Sequence, residues 1–258
     1  MKIVISPAKT LDYETPWNVP ETTLPRLPEQ SAELVDILRQ KAPWEISALM
    51  GISDKLGELN AERFQNWQWP FPDGAAKPAI LAFKGDVYTG LEAETLSEEA
   101  LLRAQKQLRI LSGLYGILSP LDLMLPYRLE MGTKLENPKG KTLYAFWGET
   151  LTELLRQDMA EDGDEVLVNL ASNEYFKALK PNKLGVRVVT PVFKDLKGGQ
   201  YKIVSFWAKK ARGMMTRFII ENDIRDAEAL RDFDVGGYRY NPAMSEADTL
   251  TFTRDTPE

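Results

Sequence analysis

Seven short segments set polar side chains beside glycines or small residues, mostly just after candidate strands. They are SPAKT (6–10), FKGDVY (83–88), LSGLYGIL (111–118), PYRLEMG (126–132), FWG (146–148), NLASNEYFK (169–177) and AKKARG (208–213). Loops at strand ends are the usual seat of ligands in proteins that mix strands and helices. From these segments Lys9, Lys84, Asp86, Tyr88, Arg128, Glu130, Asn169, Ser172, Lys177 and Lys209 are candidates for a shared cleft. Taken singly, such residues are more often surface or structural. In a cleft, Lys9 or Lys209 would serve as nucleophile or phosphate clamp, and Asp86 or Glu130 as acid or base. FKGDVY lacks the spacing of a phosphate-binding P-loop.

The chain has 258 residues and neither histidine nor cysteine. No Ser-His-Asp or Cys-His nucleophile can therefore be assembled, and no Cys/His zinc, haem-His or iron–sulfur site. Direct reduction of an oxidant by a thiol is excluded as well. No cofactor and no metal site is expected. A metal, if any, would be a hard ion held by oxygens.

Net charge is −6, which argues against indiscriminate binding to polyanions. The charge is unevenly spread. Lys197, Lys202, Lys209, Lys210, Arg212 and Arg217 fall between Leu196 and Ile220 with no acid among them. From Glu221 onward ten acids face four basic residues, which equals the whole net charge. On a helix over 208–222, Trp207, Ala211, Met214 and Phe218 share one side and are expected to face the core. Lys209, Lys210, Arg212 and Arg217 take the other side, with Gly213 among them. Glycine inside a helix costs about 1 kcal/mol against alanine, and close approach of a ligand or of another backbone would compensate. A solvated charged face is the plainer alternative, but such a face usually carries acids for pairing, and this one has none.

EISALMGISDKLGELN outlines a helical hairpin, with a candidate helix-hairpin-helix over 45–64. Leu49, Gly51, Ile52, Ser53 and Gly57 match the pattern L-x-G-h-G-x-x-x-A, with serine in place of its second glycine and glycine in place of its alanine. Amides of the turn would meet a DNA phosphate at the start of the second helix, and Lys55 would add charge. A plain helix-turn-helix capped by Ser53 explains the same letters.

These residues need elements to hold them. KIVIS (2–6) reads as a buried strand and 14–30, with four prolines, as an extended loop. Helices are expected over 32–41, in two short pieces over 44–64, over 97–111, over 142–160 and over 208–222. Strands are expected at 79–83, 165–170, 185–193 and 200–206. Strands and helices interleave without a regular βαβ period, so a doubly wound sheet is not favoured, and a single α+β domain over 1–258 is expected. No apolar run approaches the roughly 18–20 residues that span a bilayer. The first apolar run is too short for a signal peptide, so a cytoplasmic protein without membrane contact is expected.

Taken together, SPAKTLDY, LMGISDKL-x-x-LNAERF, FKGDVYTGL, LSGLYG-x-L-x-PLDLM-x-PYRLEMG, FWG, NLAS-x-EYFK and KKARG-x-M-x-RFIIEN resemble the YaaA family of bacterial peroxide-stress proteins. The resemblance runs from Met1 to about Asn222. It implies an α+β fold of its own type, sometimes called the cantaloupe fold, with a helix-hairpin-helix and a positively charged cleft. It also implies DNA binding and a role in resisting hydrogen peroxide by keeping free intracellular iron low, which limits Fenton damage. Gly51, Ile52, Ser53, Lys55, Lys209, Lys210, Arg212, Gly213 and Arg217 are the candidate DNA contacts, mostly to the phosphate backbone and independent of sequence. The alternative is an enzyme that uses the Lys/Arg/carboxylate cleft on a nucleotide or other small anionic substrate.

Overall fold

Four consecutive buried residues, Lys2–Ile5, form the strand β1. It is hydrogen-bonded in parallel on both sides, to β2 (Leu108–Ser112) and to β4 (Val166–Leu170). The computed structural model describes residues 1–255. β3 (Gly116–Leu118) runs antiparallel to β2. β5 (Arg187–Lys197) lies parallel to β4, and β8 (Thr249–Arg254) parallel to β5. β6 (Gln200–Lys202) and β7 (Arg239–Tyr240) are short antiparallel partners of β5 and β8. The order is β7-β8-β5-β4-β1-β2-β3, with β6 beside β5.

The sheet is therefore mostly parallel, more so than the sequence reading favoured. Its period was hidden by the first crossover: about a hundred residues and several helices separate β1 from the strand it pairs with at Ile5↔Ile110. The core is one continuous cluster from Met1 to Phe252. No helix among the described residues is long and apolar enough to cross a membrane.

The main helices are α1 (Pro28–Arg39), α2 (Pro43–Met50), α3 (Asp54–Asn66), α4 (Asp86–Leu91), α5 (Glu98–Gln107), α6 (Thr150–Glu161) and α7 (Ser205–Glu221). The hairpin of α2 and α3 turns on Gly51, whose φ of 61° suits glycine. Ser53 caps α3 by accepting a hydrogen bond from the Leu56 amide. Gly57, where the pattern has alanine, lies so close to α2 that a Cβ would sit 2.7 Å from the Pro43 carbonyl oxygen.

Several boundaries depart from expectation. Ala79–Ala82 is one buried helical turn, with only Phe83–Lys84 as strand. A short, wholly apolar run does not distinguish the two by periodicity. The helix expected over 97–111 stops at Gln107, because LRILS is buried throughout as a strand beside β1. The helix expected over 142–160 is two helices, Leu143–Trp147 and α6, broken where Gly148 takes a positive φ of 53°. The strand expected through 206 ends at Lys202, and Ser205 opens α7 three residues before its expected start.

α7 is buried on more of its circumference than the wheel implied. Ala208, Ala211, Gly213, Met215, Thr216, Ile219 and Ile220 are buried, while Trp207, Met214 and Phe218 are only partly so. Gly213 stands against another backbone: a Cβ there would lie 1.8 Å from the Val87 carbonyl oxygen of α4. Gly90 of α4 reciprocates, 2.0 Å by the same construction from the Lys210 carbonyl oxygen. Its position amid the basic residues along the sequence is a helix–helix contact in space. Gly213→Ala should lower stability by about 1–3 kcal/mol through overpacking. A denaturant melt would show it as a reduced midpoint with an unchanged slope.

Candidate functional site

Because β1 and β4 are parallel neighbours in register at Ile5↔Leu170, the segments that follow them emerge side by side. The Ser172 amide donates to Ser6 Oγ at 2.9 Å, and Tyr88 Oη donates to the Ser6 carbonyl at 3.0 Å. Ser6 thus fastens three chain segments at one point. Around it opens a cleft of about 390 Å³, walled by 6–10, 84–88, 127–130, 172–175 and the Lys209–Arg212 turn of α7.

Most residues expected in a shared cleft line it: Lys9, Lys84, Asp86, Tyr88, Arg128, Glu130, Ser172 and Lys209, with Arg212 added from the basic helix. Asn169 and Lys177 do not. Asn169 is buried in β4, where its Oδ1 accepts from the Ala171 amide, and Lys177 lies over the Tyr144 ring. Lys210 and Arg217 line a separate depression with Met214 and Glu221. Arg217 is held there by Glu221 at 2.6 Å and by the Leu91 and Glu92 carbonyls. Gly51, Ile52, Ser53 and Lys55 do not line the cleft. The far end of α3 comes nearer, since Arg63 feels the charge of Arg128. The turn itself is ten residues from Arg63, about 15 Å along a helix axis.

Five cationic side chains (Lys9, Lys84, Arg128, Lys209, Arg212) and three anionic ones (Asp86, Glu130, Glu174) line the cleft, a formal surplus of two positive charges. Lys9 pairs with Glu130 at 2.9 Å, and Arg128 reaches the same carboxylate at 3.4 Å. Glu174 accepts from the Gly132 amide at 2.8 Å. Asp12 stands behind Lys84 at 3.6 Å. The Thr15 amide and hydroxyl, followed by Lys77 and the Glu14 amide, hold its carboxyl well below the usual range. Burial pushes the phenols of Tyr88, Tyr127 and Tyr175 well up, so they stay protonated and serve as donors or apolar walls. Burial alone lowers the Arg212 pKa.

Ser6, Tyr127, Glu174 and Tyr175 were not singled out in the sequence, although each lies within or beside a segment that was. Their signal was position in a strand-end loop, which does not say which way a side chain turns. No group of three or more carboxylates that could hold a metal ion is gathered among the described residues.

A family model described as peroxide stress protein YaaA matches residues 1–244, past the Asn222 limit of the sequence resemblance. A UPF0246 protein of Hahella chejuensis is 61% identical over 255 residues, covering 99% of this chain and 100% of the relative. One from Idiomarina loihiensis is 57% identical over 254 residues, covering 98% of each. One from Shewanella woodyi is 55% identical over 255 residues, covering 99% of this chain and 100% of the relative.

Removing the Ser6 hydroxyl leaves the Ser172 amide without its acceptor. Ser6→Ala should cost about 1 kcal/mol. Hydrogen exchange should localise the change to faster exchange of the Ser172 amide.

Proposed function

Because the chain belongs to the YaaA family of peroxide stress proteins, we propose that it acts in the response to hydrogen peroxide as a DNA-binding protein. The observation that carries this reading is the surplus of positive charge in the strand-end cleft of a molecule whose net charge is −6. Lys9, Lys84 and Lys209 are exposed at its lip, where a duplex too large for the cavity can still rest its phosphates. Such contacts position DNA without reading bases, so binding is largely independent of sequence.

The α2–α3 hairpin plays a secondary part as a helix-hairpin-helix. The Gly51 turn offers amides, but the Ser53 hydroxyl already occupies the Leu56 amide, and Asp54 stands beside Lys55. Its turn touches a phosphate only as a second point of contact. Limitation of free iron and of Fenton damage follows from what the protein binds rather than from storage by its own side chains.

Fluorescence anisotropy against a labelled duplex at two salt concentrations tests this reading. Three lip lysines, each neutralising one phosphate, give a log–log slope of about −3, from roughly −0.9 per phosphate. Lys209→Gln should reduce the slope by about 1. Glu130→Gln, which frees Lys9 and Arg128, should tighten binding severalfold. Equal affinity at both salts, or no binding at low salt, contradicts the reading.

A further inference from the structure

Two guanidinium groups in the cleft carry charge that the other described residues neutralise only in part or not at all. Arg212 faces the cavity from α7, largely buried, and its side chain has no hydrogen bond or ion pair with another described residue. Arg128 has a buried Nε without a hydrogen-bond partner among the described residues. Its only carboxylate among the described residues, Glu130 at 3.4 Å, is shared with Lys9 at 2.9 Å.

Taking a cation out of water without a partner is unfavourable, and a guanidinium presents its donors in a fork that suits phosphate oxygens. We propose that the floor of the cleft seats the phosphate monoester of a single nucleotide-sized molecule, gripped by Arg212 and Arg128. This deepens the reading of the cleft as a phosphate site and rests on it. A volume of about 390 Å³ is that of a small-molecule site and excludes a double helix. Pro7, Val87 and Leu129 supply an apolar wall for the rest of the molecule. Asp86 lines the same space and has no ion pair among the described residues, which leaves it to accept from a sugar hydroxyl. The monoester comes either from a free nucleotide or from the 5′ end of a DNA strand.

Calorimetric titration with AMP, GMP, CMP and UMP in turn, and with the matching nucleosides, tests the seat. At least one nucleotide should bind at least tenfold more tightly than its nucleoside. Arg212→Gln should lose tenfold or more of that affinity with a thermal midpoint no lower than the parent's, because a charge without a partner is being removed. If that variant does not fold, Lys209→Gln at the exposed lip should still lose affinity severalfold. Competition by a 5′-phosphorylated oligonucleotide, and not by its 5′-hydroxyl twin, assigns the monoester to a strand end; absence of competition assigns it to the free nucleotide. No nucleotide binding, equal binding of nucleoside and nucleotide, or full affinity in the folded Arg212→Gln variant overturns the inference. Salt-dependent duplex binding that persists in that case leaves the DNA reading standing, and its loss removes both.

Discussion

The approach of two helix backbones at Gly90 and Gly213 sets the geometry of everything around the cleft. Each glycine faces a carbonyl oxygen of the other helix at a separation that no side chain tolerates. Contact of this kind fixes the distance and rotation of α4 against α7. Within one turn of it, α4 presents Asp86 and Tyr88, and α7 presents Lys209 and Arg212, to the same space. The third wall is held by Ser6, whose carbonyl accepts from Tyr88 and whose hydroxyl accepts from the Ser172 amide. A parallel pair of strands brings those two loops together, so the site is a product of sheet register and helix contact together.

Charge is sorted by the same framework. Arg217, two turns beyond Lys210, is drawn to Glu221 and to the end of α4, and is spent on holding the helices together. Asp195 and Arg254, 2.6 Å apart and buried, neutralise each other under the far side of the sheet order, at β5 and β8. Several acids of the C-terminal stretch pair with nearby arginines, as at Arg231–Glu228 and Arg225–Asp223. In the cleft, Arg128 shares its carboxylate with Lys9, and Lys209 and Arg212 have no ion pair among the described residues. A protein of net negative charge can therefore present a locally positive concavity, and a concave low-dielectric wall strengthens its attraction for anions.

Much of this was legible before any coordinates. The buried β1, the two helices joined at Gly51 and the strand over 166–170 follow from periodicity and turn chemistry. Polar residues after strands gave most of the cleft lining. Three things were hidden. Apolar runs such as AILAF and LRILS have no period that separates helix from strand, and only burial beside β1 decides. The parallel sheet was masked by the length of its first crossover. Gly213 looked like part of a ligand-binding face, since a sequence shows that a backbone must come close but not whose backbone it is. Asn169 has the same lesson: polar and at a strand end, it turns inward to its own chain.

The central claim is that the charge left over at Arg212 and Arg128 awaits an anion. Diffraction from crystals soaked in selenate, with data collected at the selenium edge, tests it directly. The account predicts an anomalous peak within hydrogen-bond distance of the Arg212 guanidinium, shared with Arg128 or Lys209. A cleft without such a peak, while selenate occupies other sites on the same molecule, would contradict it.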